Sequence, residues 1–304
     1  MIARVFRIAI AAAIAAPVVV GPAVGANDPA HWEYSVSATT LRTAEVDFDA
    51  GGGTRLTSHH LRAGVDRRIG DATELGARLT YDFQDRDFSR AGGSDAFRHL
   101  GRTNRVGIAG SLTQRTRFGW SYGVRPFVNW AFESGAFSGD AMSYGAALAV
   151  VTGLSGDKRI GTGARVSRDM ENEIKLSPII IVHWELNENW TVANPREANF
   201  TSPAGLEIRY TDGGNWGIAL AGIHHSAEFR LDDQGQAPDG IGESSGFLSY
   251  VRATYRWAPT FRMNGYVGAL FNGKLEVDDS AGDRVASSGY DTAPFVALAL
   301  EGTF

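Results

Sequence analysis

The chain has 304 residues, a formal net charge of −5 at pH 7 and no cysteine. The acidic balance argues against a nucleic-acid partner, and a chain without cysteine forms no disulfide, thiolate metal site or cysteine nucleophile. The combination of 37 glycines, 10 prolines and 11% aromatic residues is typical of many strands joined by tight turns.

The N-terminal segment has the three parts of a secretory signal peptide. Two arginines precede an apolar stretch at 8–20, and small residues up to Ala26 provide a cleavage site. The apolar stretch is short and interrupted by proline, so a transmembrane anchor is the poorer interpretation. We therefore expect a signal peptide at 1–26, cleaved near Ala26, and a single exported domain at 27–304.

Beyond the leader, apolar and polar residues alternate in a series of segments, and a period of two places alternate side chains on opposite faces of a strand. The fourteen segments are 32–48, 54–69, 73–86, 102–114, 117–132, 142–154, 158–167, 173–186, 189–196, 203–211, 215–230, 245–258, 260–276 and 291–304. Their connections alternate between short and longer ones, which leaves both ends of the domain on the side of the short turns. This asymmetry is typical of transmembrane β-barrels.

Aromatic residues recur ten places apart on three of these segments. Ten residues of a tilted strand climb roughly 23 Å, close to the ~25 Å apolar band between the aromatic girdles of a membrane barrel. The predicted girdle residues are Trp120, Trp130, Phe247, Trp257, Phe261 and Phe271. We therefore predict an all-β, antiparallel up-and-down transmembrane barrel of fourteen strands, with twelve as the alternative.

The C-terminal segment alternates Val296, Leu298 and Leu300 with small or polar residues and ends on Phe304. Here the chain resembles bacterial outer-membrane β-barrel proteins, whose last strand ends on an aromatic residue that the barrel-assembly machinery reads. Gly302 stands where these proteins usually have a large apolar residue. The resemblance implies an outer-membrane location, Phe304 as the assembly signal, and membrane lipid, lipopolysaccharide and the assembly machinery as partners.

The faces opposite the apolar ones carry charged side chains. A charge facing lipid would cost about 2–4 kcal/mol at the midplane, so we expect these residues to line the lumen. The predicted lumen residues are Arg62, Asp66, Glu74, Arg78, Asp82, Arg105, Arg125, Arg165, Glu185, Glu207, Arg209, Arg252, Arg256 and Glu301. Such a wall sorts small solutes in an open pore, whereas in a closed barrel the same residues only pair across strands. The connections 87–101 and 231–244 are candidates for folding inward.

The leading functional prediction is a porin-like pore for the passive passage of small polar solutes, without catalysis, metal or cofactor. One alternative is a lipid hydrolase, because His224 and Ser226 lie two apart on a predicted outward face, as in outer-membrane lipid hydrolases. Ala227 replaces the asparagine that commonly follows that serine. A closed structural or adhesive barrel is the other alternative.

Two further patterns carry less functional information. His59 and His60 are adjacent on a predicted strand, so they point to opposite faces and cannot chelate a metal together. The stretch 194–207 is similar to a pattern of uncharacterised proteobacterial outer-membrane barrels. No function follows from a fold-level likeness of this kind.

Overall fold

The computed structural model describes residues 32–89, 97, 100–136, 139–153, 158–195 and 204–304, so the expected signal peptide lies outside the described residues. The strands of the described part are β1 (Trp32–Thr43), β2 (Val46–Asp47), β3 (Gly53–Ile69), β4 (Thr73–Ser89), β5 (Arg102–Arg115), β6 (Trp120–Glu133), β7 (Met142–Gly153), β8 (Lys158–Arg168), β9 (Ile174–Glu185), β10 (Trp190–Ala193), β11 (Gly205–Thr211), β12 (Trp216–Arg230), β13 (Ile241–Ala258), β14 (Phe261–Asp278), β15 (Arg284–Tyr290) and β16 (Ala293–Thr303). A 3₁₀ turn, Gly139–Ala141, precedes β7.

Fourteen of these strands close into an antiparallel up-and-down barrel. The ring closes because β1 pairs with β16 on one side and with β3 on the other. The backbones of Tyr34 and Phe304 exchange two hydrogen bonds of 2.8 Å at the seam, and the ring of Phe304 packs edge-on against Phe261. The prediction of a fourteen-stranded barrel is confirmed, and the twelve-stranded alternative is wrong.

Two short strands, β2 and β15, stand outside the ring, since β2 pairs only with β3 and β15 only with β14. The predicted segment 32–48 is therefore wrong as one strand, and the predicted loop 277–290 contains β15. The chain reverses after Phe48 because Gly51 and Gly52 adopt positive φ angles of 89° and 84°, which glycine tolerates without steric cost. Alternation of apolar residues does not show where such a turn interrupts it.

The outer surface of the barrel is apolar and accessible. Leu79, Ile108, Leu148, Val267 and Val296 are between 51% and 66% exposed. All six predicted girdle aromatics lie on this outer side, with Trp257 51% and Trp120 43% exposed. None of the helical segments in the described ranges is long and apolar enough to cross a membrane. An apolar belt around a closed ring of strands is the surface of a transmembrane β-barrel.

A cation introduced into this belt should test whether the belt faces lipid. Val267 is 66% exposed near the middle of β14, and Thr260 lies in the turn before that strand. We expect Val267→Arg to lower the free energy of unfolding in lipid vesicles by about 2–4 kcal/mol, and Thr260→Arg by about 0–1 kcal/mol. Denaturant titration of both variants measures the difference, and equal effects would contradict a lipid-facing belt.

Candidate functional site: the lumen of the barrel

The lumen is divided because the outer end of β12, which stays paired with β13 as far as Arg230, reaches across to β6. Arg230, at the end of β12, pairs in parallel with Phe132 of β6, although five strands separate β6 from β12 on one side of the ring and seven on the other. A guanidinium nitrogen of Arg105 on β5 donates to the carbonyl of Glu228 at 3.3 Å. The guanidinium of Arg86 on β4 lies 5.8 Å from the ring of Phe229.

The mouth on the side of the long connections is filled by a buried apolar group, which we call the mouth cluster. It includes side chains from the long connections and from the adjacent strand ends: Phe48, Phe97, Leu100, Met170, Phe229, Leu231, Ala237, Ile241, Leu275 and Val277. Both connections that the sequence marks as candidates for folding inward contribute to it, through Leu100 and Leu231. This part of the mouth is therefore filled by the described loops and strand ends.

One buried arginine joins three of these loops. The Arg230 guanidinium donates to the carbonyls of Asp140 at 3.1 and 3.3 Å, Asp239 at 2.7 Å and Met170 at 2.7 Å. The backbone N–H of Asp232 also donates to the carboxylate of Glu133 at the end of β6. The tip of the β12–β13 hairpin is thus fixed in the mouth by polar contacts as well as by apolar packing.

On one side of β12 the inner faces are tightly packed. Tyr250, Tyr266, Ile223 and Phe295 are at most 3% exposed, and the two tyrosine rings meet edge to face at 5.3 Å. This side is formed by β1, β3, β4, β12, β13, β14 and β16, whose inner residues account for most of the buried apolar side chains.

On the other side the inner faces of β7 and β8 carry small side chains. Ala149 of β7 pairs with Gly163 of β8 and Val151 with Gly161, whereas Ala147 pairs with Arg165 of β8. Because glycine and alanine contribute little side-chain volume and the arginines of β8 are exposed, the lumen is accessible beside these two strands. We call this space the open side of the lumen.

The open side is lined by cations. Arg125 of β6, and Arg159 and Arg165 of β8, are exposed. The guanidinium of Arg165 lies 4.2 Å from the ring of Phe127, a cation–π contact that holds it against the wall while its edge stays accessible. Anionic solutes in this space therefore meet positive charge.

A salt bridge spans the open side from β9 to β12. The Lys175 ammonium lies 2.8 Å from a carboxylate oxygen of Glu228 and 3.0 Å from Asp169 in the β8–β9 turn. Burial raises the pKa of Asp169, but hydrogen bonds from Lys175 and from the backbone N–H groups of Glu173 and Glu171 outweigh it and leave this pKa below its usual value. The Asp169 carboxylate therefore stays ionised beside the Lys175 ammonium.

The other predicted lumen residues form pairs or short rows along the inner wall. Arg78 lies 3.7 Å from Asp66 on the neighbouring strand, and Arg115 lies 3.3 Å from Glu74. Glu185 lies 3.2 Å from a ring nitrogen of His183. These side chains satisfy one another across strands, the arrangement that the closed-barrel interpretation describes for them.

A second group lies at the end of the short turns. Glu207 is 2.8 Å from Arg252 and 3.6 Å from Arg209, and Glu301 is 2.6 Å from Arg262. Arg62 lies within electrostatic range of Glu301, Asp82, Arg78 and Arg125, so it belongs to the same inner wall. Arg256 is exposed at this end.

The sequence gives no direct sign of a Ser–His–Asp chain that the structure places inside the barrel. The Oγ of Ser58 lies 2.7 Å from Nε2 of His60, and Nδ1 of His60 lies 2.8 Å from Asp82 on the neighbouring strand. A carboxylate only accepts, so Nδ1 carries the proton and the hydroxyl of Ser58 donates to Nε2. The alternation of side chains along a strand places Ser58 and His60 on one face of β3. Asp82 joins them only because the register between β3 and β4 pairs it with His60.

This chain has the order of groups found in a catalytic triad, but it is closed to substrates. Ser58 is 2% and His60 6% exposed, beneath the neighbouring strand β1, where Leu41 is paired with Ser58. We interpret the three residues as a satisfied polar chain that joins β3 to β4. His59 points to the other face, where it meets Thr40 at 3.1 Å.

His224 and Ser226, the residues of the lipid-hydrolase alternative, lie on one face of β12, and both are exposed. Ser226 donates to the carboxylate of Glu243 on β13 at 3.0 Å, and no hydrogen bond joins His224 to Ser226 among the residues that the structure describes. The serine hydroxyl is therefore paired with a carboxylate rather than with an imidazole. No observation here favours an activated nucleophile at this position.

The fold and the lumen together define a transmembrane β-barrel whose lumen is partly closed from within, in agreement with the resemblance of the C-terminal strand to outer-membrane barrels. Similar solved structures include the COG4313 outer membrane channel from Pseudomonas putida F1, at 12% identity over 92% of this chain and 100% of that chain, with a TM-score of 0.49. The toluene transporter TodX from P. putida is 7% identical over 90% of each chain, with a TM-score of 0.43. A FadL homologue from Pseudomonas aeruginosa is 9% identical over 90% of this chain and 89% of that chain, with a TM-score of 0.32.

No protein-family model and no curated protein matches the chain. At these identities the likeness concerns the barrel fold alone, so the function has to be argued from the residues of this barrel.

Removal of the Asp82 carboxylate should separate a structural chain from a catalytic one. We expect Asp82→Asn to lower the free energy of unfolding by about 1–3 kcal/mol, because a buried imidazole loses its charged acceptor. The control is Asp85→Asn on the same strand, where a partly exposed carboxylate lies 3.6 Å from Arg102. We expect it to change stability by less than about 0.5 kcal/mol. Covalent labelling of Ser58 in the native protein by a fluorophosphonate, detected by mass spectrometry, would contradict the structural interpretation.

Proposed function

We propose that the protein is an outer-membrane channel that passes small polar solutes through the open side of the lumen and favours anions. The proposal rests mainly on the inner faces of β7 and β8, where glycine and alanine leave space beside exposed arginines. A barrel whose only task is structural has no need of such a space. No step of this function makes or breaks a covalent bond.

The charge along the open side supports selectivity for anions. Arg125, Arg159 and Arg165 project into this space, and Lys175 lies at its outer end. Carboxylates are fewer here, and Glu228 is already engaged by Lys175. Inside a narrow, poorly screened space, fixed charges act on solutes more strongly than the same charges do on an open surface.

The mouth cluster makes this a channel that is closed at rest. A solute entering from the side of the long connections has to displace the tip of the β12–β13 hairpin, which Arg230 holds in place. The resting conductance should therefore be low, and any opening should involve the loops joined by Arg230.

A second candidate, a channel for apolar solutes, is favoured by the apolar outer face of β9. Ile174, Leu176 and Ile180 of β9 are 70–78% exposed, more than other outward residues of the barrel. An apolar solute dissolved in the bilayer would meet this part of the wall first, and uptake of a labelled aromatic hydrocarbon into vesicles without ionic conductance would favour this candidate.

Loss of the Arg230 side chain should open the mouth. We expect Arg230→Met to raise the single-channel open probability in planar bilayers at least about tenfold, since four charge-assisted hydrogen bonds to loop carbonyls disappear. Arg102→Met is the control, because Arg102 lies at the same end of the barrel and is largely exposed. An Arg230→Met barrel that folds but conducts no more than the native protein would contradict the closed-mouth model of this channel.

Charge reversal on the open side should change ion selectivity. We expect Arg125→Glu and Arg165→Glu each to shift the reversal potential in a salt gradient toward cation selectivity, because each replaces a positive charge in the path by a negative one. The measurement is best made in the Arg230→Met background, where openings are frequent. Arg42→Glu, at an exposed position on the outer end of β1, serves as the control and should leave the reversal potential unchanged. Unchanged selectivity in both lumen variants would exclude this path.

A further inference from the structure

Four arginines meet in one small pocket at the end of the barrel that carries the short turns. Arg209 of β11, Arg252 and Arg256 of β13, and Arg262 of β14 line a cavity of about 170 Å³ beside the β11–β12 turn. We call it the arginine pocket. The cavity is large enough for several water molecules or one small ion.

Positive charge predominates in the arginine pocket. Glu207 pairs with Arg252 and Arg209, and Glu301 pairs with Arg262. The structure shows no carboxylate paired with Arg256 among the described residues. Four guanidinium groups thus stand against the carboxylates of Glu207 and Glu301 and that of Asp212 in the adjacent turn, so positive charge predominates.

The pocket also has neutral hydrogen-bond donors around the arginines. Thr211 and Asn215 line it, and the turn beside it is built from Gly213 and Gly214. The hydroxyl of Thr254, which also lines the pocket, donates to Asn264 at 2.7 Å. Gly213 has a positive φ of 76°, and the N–H of Gly214 is capped by Asp212 at 2.8 Å. The turn therefore keeps its own carboxylate engaged while the arginine side chains face the cavity.

We propose that the arginine pocket binds a phosphate group, either of free inorganic phosphate or of a small phosphorylated solute. A phosphate group carries the negative charge that an arginine-rich lining favours, and planar guanidinium groups bind its oxygens in pairs. The remainder of a larger phosphorylated solute would extend into the lumen. This inference deepens the proposed channel function by naming the class of anion that its inner end selects.

Equilibrium dialysis of the folded barrel in detergent against radiolabelled inorganic phosphate tests the pocket directly. We expect saturable binding of one phosphate per barrel. Arg256→Gln should weaken this binding about tenfold or more, since it removes a charge-assisted contact, and it leaves no carboxylate unpaired. Arg262→Gln should weaken it further, and Arg159→Gln on β8 is the matched control that removes the same charge outside the pocket. Glucose 1-phosphate should compete with phosphate if the pocket accepts phosphorylated solutes, and should fail to compete if it accepts the free ion only.

Absence of saturable binding in the native barrel would overturn the proposal, and so would equal weakening by Arg159→Gln and Arg256→Gln, which would indicate diffuse charge. Because dialysis needs no transport, the two proposals fail separately. A barrel that binds phosphate without conducting contradicts the channel, and one that conducts without binding contradicts the pocket.

Discussion

The barrel depends on the closure of its hydrogen-bond ladder. Within a bilayer, an unpaired backbone N–H or carbonyl costs several kcal/mol, so a sheet that spans the membrane cannot keep a free edge. The pairing of β1 with β16, completed by the two bonds between Tyr34 and Phe304, removes that edge. The C-terminal aromatic is therefore part of the seam itself, and its ring packs on Phe261 of the adjacent strand β14.

The approach of the outer end of β12 to β6 is compatible with this constraint because its backbone stays paired with β13 and its side chains find partners inside the lumen. Arg105 donates to the backbone carbonyl of Glu228, and Lys175 donates to the Glu228 carboxylate. Arg230 donates to three loop carbonyls. A buried guanidinium is costly unless nearly all its donors are used, so the position of the hairpin tip is well determined once Arg230 is in place. The position of the β12–β13 hairpin tip therefore depends strongly on the single side chain of Arg230.

The strands, the face of each side chain and the two ends of the barrel were predictable from the sequence, because they follow from a period of two and from connection lengths. The division of the lumen was not. Arg125 and Arg230 look alike in sequence, yet one is exposed on the open side and the other is buried among loops. The difference arises from contacts between β12 and β4, β5 and β6, which depend on barrel registers that no local pattern encodes. The contact between His60 and Asp82 was not predictable for the same reason, because it depends on the register between β3 and β4.

The charge of the whole chain is a poor guide to what its lumen attracts. The chain carries a net −5, yet the open side and the arginine pocket are both dominated by arginine. Many of the acids lie on the outer connections, as Asp233 and Asp283 do, where they are exposed. Salt screens such exposed charges over about 8 Å at physiological ionic strength, whereas charges inside a narrow lumen are screened much less. The local field at the arginines therefore decides which solutes are favoured, and an acidic protein can present a cationic interior.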